Sequence, residues 1–210
     1  MKIAIIGSGS VGAALGKQWV KAGHQIVYGA RGPESPKLLA ALESTPGARS
    51  ASVAAAAESC EAVALATPWA ATQAAVAACR ALTGKTVLDC TNPLVSLDGL
   101  AVGHTTSGGE EVARWAQGAH VVKIFNTVGA NLMADPDFNG HAATMLYCGD
   151  NAEAKRTAHQ LAADCGFDPV DAGPLRQARL LEPMAMLWIS MAFAQKDRDF
   201  CFQLLRRSRP

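Results

Sequence analysis

Residues Ile3–Leu15 read IAIIGSGSVGAAL. An apolar run ends in a glycine-rich turn, and residues suited to a helix follow. The turn is G-x-G-x-x-G, spelled Gly7-Ser8-Gly9-Ser10-Val11-Gly12. Gly7 permits a tight turn, Gly9 has no Cβ to hold off a pyrophosphate, and Gly12 lets the helix pack closely on the strand. The helix start presents free N–H groups and the positive end of its dipole to phosphates. The six-residue pattern alone is weakly specific. Its placement between a strand and a helix gives it meaning, and a structural glycine turn of another α/β fold is the plain alternative.

The rest of the chain repeats the strand-helix alternation. The pattern predicts strands over residues 1–6, 24–28, 62–66, 86–89, 121–125, 143–148 and 168–170. It predicts helices over 11–22, 37–43, 69–82, 110–116, 151–164 and 175–195, a further helix beginning at 53, and a long loop from about 90 to 108. Ser52 is placed to cap the alanine-rich helix that starts at Val53. Near-continuous apolar strands alternating with helices imply a parallel sheet covered on both faces. This is an α/β, Rossmann-type sheet. Residues 1–140 are expected to form the dinucleotide-binding domain, and residues 141–210 a small C-terminal α/β region packed on it. In such sheets ligands bind beyond the carboxyl ends of the strands. The residues found there are Gly7–Gly12, Ala30-Arg31, Thr67-Pro68-Trp69, Asn92-Pro93 and Asn126–Ala130.

Composition narrows the function. The chain has 210 residues, half of them hydrophobic, and a net charge of +1. No global field favours nucleic acid or an anionic membrane. The arginines of the terminal LLRRSRP read as a solvated tail. The six cysteines are scattered, without a C-x-x-C pair, so neither a metal site nor a disulfide framework is expected. They read as buried apolar residues in a reducing compartment, and a cytoplasmic protein is the expectation. The apolar stretch Met184–Ala194 is too short to span a bilayer.

The second strand runs into IVYGARG, Ile26–Gly32. An acidic residue at its end would bind the adenosine ribose of NAD and repel the extra phosphate of NADP. None occurs before Glu34. Arg31, nineteen residues after Gly12, offers instead a fork of donors suited to a phosphate. Gly29 and Ala30 leave room for it. The cofactor read from these residues is NADP, with an exposed loop arginine as the plain alternative.

Taken together the motifs resemble a known family, the NADP oxidoreductases dependent on the deazaflavin coenzyme F420. The likeness rests on IAIIGSGSVG, GARGPES, ATPW (Ala66–Trp69), TNPL (Thr91–Leu94), KIFNTVGANL (Lys123–Leu132), CGDNAEAK (Cys148–Lys155) and GFDPVDAGPLRQARLLEP (Gly166–Pro183). It runs over nearly the whole chain, and the cytoplasmic domain of the six-transmembrane metalloreductases is similar. The resemblance implies that Ser8, Gly9, Ser10 and Val11 surround the pyrophosphate, and that Ala30 and Arg31 hold the 2′-phosphate. It places Thr67, Pro68 and Trp69 along the cofactor's middle, Asn92 and Pro93 at the nicotinamide half, and the Ala130 backbone at the carboxamide. Asn126 and Val128 would face the second, deazaflavin-like ring. Archaeal members carry serine where Ala30 stands and histidine where Asn126 stands.

Each residue also has an ordinary reading. Pro68 and Pro93 end strands, Trp69 is a core aromatic, Asn126 caps the next segment, and His104 is a loop residue. Asp171–Leu175 reads as turn and helix-start chemistry, with Pro174 in the first turn. The stripe Leu180, Leu181, Met184, Leu187, Trp188 and Met191 is spaced for one helix face, as core or as the interface of a homodimer.

The implied reaction is hydride transfer between NADP(H) and a small-molecule acceptor, coenzyme F420 or a flavin. The cofactor carries the chemistry, so no side-chain nucleophile is required. The alternatives are an NADP(H)-binding redox sensor and, more weakly, a flavin-mediated ferric reductase. Replacement Arg31→Ala is expected to weaken NADPH binding by roughly ten- to a hundredfold and NADH binding much less. Titration of both nucleotides checks it, and equal weakening would refute the phosphate role.

Overall fold

Each strand expected from the apolar runs forms, with ends shifted by a few residues. The computed structural model describes residues 1–32, 34–96 and 99–207. Pro33 of the GARGPES motif, Leu97 and Asp98 of the expected long loop, and the last three residues of the basic tail lie outside the described residues. The chain runs β1 (Lys2–Ile6), α1 (Ser10–Lys21), β2 (Gln25–Ala30), α2 (Pro36–Ser44), β3 (Arg49–Ser52), α3 (Val53–Ser59), β4 (Ala62–Leu65), α4 (Trp69–Cys79) and β5 (Thr86–Asp89). It continues β6 (Leu94–Ser96), β7 (Gly99–Leu100), α5 (Gly108–Trp115), β8 (His120–Lys123), α6 (Ala130–Ala134), β9 (Asp137–Phe138) and β10 (His141–Ala142). The last part is β11 (Thr144–Gly149), α7 (Ala152–Ala163), β12 (Asp168–Asp171), a 3-10 turn (Leu175–Gln177) and α8 (Ala178–Gln195).

Eight strands form one sheet in the order β12-β11-β8-β5-β4-β1-β2-β3. Neighbours are parallel except β8 and β11. The order reverses beside β1, which is the switch point of a Rossmann-type sheet. Residues 141–210 therefore extend the same sheet with two strands and cover it with α7 and α8. Ile3–Ile6 and Ala62–Leu65 are buried at every position, as strands between two helical layers must be. One core lies on the face holding Leu15, Trp19, Phe125 and Trp188. The other holds Val63, Val87, Val112 and Leu181.

The glycines of the opening motif are set by contact distance. A Cβ on Gly12 would sit 1.9 Å from the Gly7 carbonyl oxygen, and one on Gly7 would sit 2.3 Å from the Ala66 carbonyl oxygen. Gly7 has φ +116°, a conformation that L side chains rarely adopt.

Several details differ from the sequence expectation. Arg49–Ser52 forms an edge strand where none was expected, because pairing with β2 supplies what the polar sequence RSAS does not advertise. The expected long loop contains the short antiparallel pair β6 and β7. Helix α4 stops at Cys79, where Arg80 takes φ 59°. The stripe on α8 divides: Leu181 and Trp188 are buried, whereas Leu180 and Leu187 are 66% and 54% exposed. Ser52 caps α3 as expected, its hydroxyl accepting from the Ala55 amide at 3.2 Å.

The charged group at the centre of the carboxyl edge is Lys123, wholly buried at the end of β8. Its ammonium donates to Asp89 Oδ2 on β5 at 2.9 Å, to the Thr91 carbonyl at 2.6 Å, and pairs with Glu182 Oε1 on α8 at 2.9 Å. Asp89 Oδ1 accepts from the Thr91 amide and hydroxyl. Glu182 accepts from the amides of Gly108 and Gly109, the first two residues of α5. Burial alone would lower the Lys123 pKa, but Asp89 and Glu182 outweigh it and hold the pKa above the ordinary lysine value. Because the pKa is raised, the ion's stabilising contribution is present at neutral pH and is lost only as pH rises through that raised value. Replacement Lys123→Met leaves two buried carboxylates without a counter-ion. It is expected to lower the unfolding free energy at pH 7 by about 3–5 kcal/mol, measured by urea titration. A loss below 1 kcal/mol would show that the network does not hold the edge together.

Candidate cofactor and substrate site

Five neighbouring strands, β2, β1, β4, β5 and β8, end on one edge of the sheet. Strands lie about 4.8 Å apart, so four spacings span roughly 19 Å, the scale of an extended dinucleotide. The loops at these ends hold the residues singled out from the sequence. Backbone hydrogen bonds carry the edge past the last paired residues: Ala66 N to Ile6 O at 2.8 Å, Cys90 N to Leu65 O at 3.1 Å, and Ile124 N to Asp89 O at 3.1 Å.

At the first loop, α1 begins at Ser10 with Gly9 as its N-cap, and no side chain caps it. The first-turn amides remain available to an anion. A Cβ on Gly9 would meet nothing within 4 Å, so the bare backbone there faces open space. Ser8, Ser10 and Val11 flank it, none of them buried. At the end of β2, Ala30 is partly buried, and Arg31 is exposed without a hydrogen bond or ion pair among the described residues. These features fit NADP: an uncapped helix start for the pyrophosphate, a free guanidinium for the 2′-phosphate, and no carboxylate beside it.

Next along the edge is Thr67-Pro68-Trp69. Thr67 Oγ1 lies 3.0 Å from Thr72 Oγ1, and the Thr72 hydroxyl donates to the Pro68 carbonyl at 3.1 Å, locking the start of α4. Trp69 is half-buried and packs on Trp115, ring centroids 5.2 Å apart. Trp69, Pro93 and Glu182 converge on Gly108. A Cβ there would lie 3.1 Å from the Trp69 ring, 3.2 Å from the Pro93 ring and 3.0 Å from Glu182 Oε1.

Asn92 and Asn126 form a pair. Asn92 Nδ2 donates to the Asn126 carbonyl at 2.9 Å, and Asn126 Nδ2 donates to Asn92 Oδ1 and to the Leu181 carbonyl, both at 3.2 Å. Contacts to backbone carbonyls fix both amide orientations. Asn126 Oδ1 is buried without a hydrogen-bond partner among the described residues. The expected capping role of Asn126 is therefore replaced by a bridge between the β5 loop and α8. Phe125, just before it, has φ 60° and is buried between Trp19 and Phe167. A left-handed aromatic residue costs about 1–3 kcal/mol, and its packing holds it there.

Val128 lies beyond the pair, in the wall of a mostly apolar cavity of about 120 Å³. Thr127, Thr144, Leu146 and Met184 complete the inner wall, and Phe202, Gln203 and Leu204 form the outer one. The C-terminal segment is tied down first by Asn131 Nδ2, which donates to the Arg198 carbonyl at 2.8 Å and to Asp199 Oδ1 at 2.9 Å, and then by two further bonds. The Phe200 carbonyl accepts from Trp188 Nε1 at 2.9 Å, and the Leu204 amide donates to Thr144 Oγ1 at 3.0 Å. Asn126 and Val128 thus face different surroundings. Ala130 starts α6, behind Gly129. His104 is exposed, and Asp171 Oδ1 accepts from the Gly173 amide as turn chemistry.

The sequence reading passed over Asp89, Lys123 and Glu182. Their signal was available: each is a single charge within an apolar segment, and their signs are opposite. Among the described residues no cluster suits a metal ion, and no helix is long and apolar enough to cross a membrane. All six cysteines are free, five of them buried. Burial pushes Cys79 up to about 11 and Cys148 and Cys165 up to about 12, and it raises Cys90 as well.

A family model described as NADP oxidoreductase, coenzyme F420-dependent, matches residues 2–93. A crystal structure from Arthrobacter sp. FB24, provisionally named an F420-dependent NADP reductase, superposes with a TM-score of 0.90 at 32% identity. The superposition covers 98% of this chain and 100% of that one. The F420-dependent NADP reductase of Methanothermobacter thermautotrophicus is 28% identical over 95% of this chain and 92% of its own length. Metalloreductase STEAP3 of Rattus norvegicus is 29% identical over 88% of this chain, but the match spans only 36% of that protein. With its glycine turn, its free Arg31 and its whole length shared with such a relative, the chain belongs to the family of coenzyme F420-dependent NADP oxidoreductases.

Proposed function

We propose that the protein transfers a hydride between NADP(H) and a deazaflavin, coenzyme F420, or a flavin. The observation that carries the reading is the apolar cavity at Val128, next to the Asn92–Asn126 pair and at the far end of the strand-end row from Arg31. An extended NADP with its phosphate on Arg31 and its pyrophosphate on the α1 start directs its nicotinamide toward Asn92 and Pro93. The bound nucleotide supplies the hydride. The chain's residues bind, orient and exclude water. Trp69 and Pro93 wall the middle of the groove, the Asn92–Asn126 pair fixes the loop beside it, and Val128 offers an apolar surface to a flat ring. Hydride transfer needs the two reacting carbons held near about 3–3.5 Å, which rigid strand ends are suited to provide.

A redox sensor is the second reading, and one observation favours it. The cavity of about 120 Å³ is smaller than the roughly 300–1,000 Å³ usual for small-molecule sites, so a tricyclic ring needs the segment around Phe202 to move. Anaerobic mixing of the protein and NADPH with coenzyme F420, FMN, FAD and riboflavin, followed by absorbance, separates the two. Bleaching of at least one acceptor together with NADPH consumption is the expected result. Tight NADPH binding with no turnover of any acceptor would replace the reductase with the sensor.

A further inference from the structure

The Lys123 network holds more negative charge than positive. Two carboxylates, Asp89 and Glu182, surround one ammonium, and all three side chains are buried. The nearby charges on α5 and α8 do not restore the balance. Arg179 is matched by Glu110 through a two-point contact at 2.8 and 2.6 Å, and Arg114 is matched by Glu111. Asp150, on the side of the 3-10 turn, is exposed and accepts from the Leu175 amide. The start of α5, whose amides Glu182 receives, contributes about half a positive charge. A fraction of a negative charge therefore remains in a region that water does not screen.

Its position gives this surplus a target. Lys123 and Asp89 clasp the peptide of Thr91, the residue before Asn92 and Pro93. Glu182 approaches the space beside Pro93 and Trp69, and the carbonyl before it, that of Leu181, holds Asn126. The network lies directly behind the loop that, on the reading above, receives the nicotinamide. That ring is neutral in NADPH and becomes a pyridinium cation when the hydride leaves. The hydride carries two electrons and one hydrogen to the deazaflavin or flavin acceptor, which takes up one proton from solvent.

We propose that the surplus negative charge of the Asp89–Lys123–Glu182 network favours the pyridinium form at this site, so that bound NADPH is a stronger hydride donor than free NADPH. Asp89 and Glu182 are then positioning residues that act by their field as well as by holding the loop. A unit charge removed at about 8–10 Å, in the effective medium of a protein, changes the relative affinity of the two redox forms by at least about tenfold. The inference rests on the proposed nicotinamide position.

The experiment is equilibrium titration of the folded protein with NADP⁺, NADPH and 2′-phospho-ADP-ribose, which lacks the nicotinamide. The wild-type protein should bind NADP⁺ more tightly than NADPH. In Glu182→Gln and in Asp89→Asn the ratio Kd(NADP⁺)/Kd(NADPH) should rise at least about tenfold, with 2′-phospho-ADP-ribose unaffected. A purely structural role would weaken both redox forms alike and leave the ratio unchanged, which overturns the inference. Tighter binding of NADPH by the wild-type protein overturns it even if neither variant folds. Failure of the folded wild-type protein to bind either form overturns the site assignment itself, and this inference with it.

Discussion

Three protons on one buried ammonium hold the working edge of this protein in register. Lys123 gives one to β5, one to the backbone of the following loop and one to α8. An ammonium out of water must satisfy every donor or lose its charge, so the three partners cannot drift independently. The two carboxylates extend the constraint, Asp89 onto the Thr91 backbone and Glu182 onto the start of α5. Asn92, Pro93, Asn126 and Gly108 inherit their places from this arrangement. The opposite end of the edge is governed by exclusion: Gly7 and Gly12 are set by carbonyl oxygens that leave no space for a Cβ.

The reversal of direction after β8 has an effect on the site. Strand β11 runs against β8, which brings its first residue, Thr144, to the edge where the other strands end. Thr144 receives the amide of Leu204, and the C-terminal segment becomes a wall of the cavity beside Val128. The end of the edge that holds Gly9 and Arg31 is built from strand-end turns. The far half includes an irregular segment held by a few hydrogen bonds and by the stacking of Phe200 on Trp188. Segments with few buried contacts open at lower cost than sheet or helix, so this wall is the part of the cavity most easily displaced.

Much of the fold was legible because its physics is local. Strands buried on both faces read as uninterrupted apolar runs, and Gly7 and Gly12 carry a pattern that the turn itself demands. Thr86–Asp89 matches to the residue. The edge strand Arg49–Ser52 was illegible because its polar residues are exposed and only pairing with β2 makes them a strand. On α8, periodicity located a face but could not say which of its leucines the core would reach. The candidate site was legible as a set of positions one to three residues past a strand end, as with Arg31, Thr67 and Asn92. Lys123 and Glu182 belong to segments 59 residues apart and meet only in the folded chain. The conformation of Phe125 has no sequence signal, since left-handed backbone is usually announced by glycine or asparagine.

The scattered cysteines take on another meaning beside this chemistry. A thiol whose pKa is held near 11 or 12 is ionised at pH 7 in only about one molecule in ten thousand or fewer. Thiolate is the form that attacks peroxides and disulfides, and here it is both scarce and walled off by side chains. In a member of an NADP oxidoreductase family, Cys79, Cys148 and Cys165 are thus sulfur atoms held out of the redox chemistry. Oxidants meet these three thiols protonated and enclosed, so the packing they belong to resists sulfur oxidation.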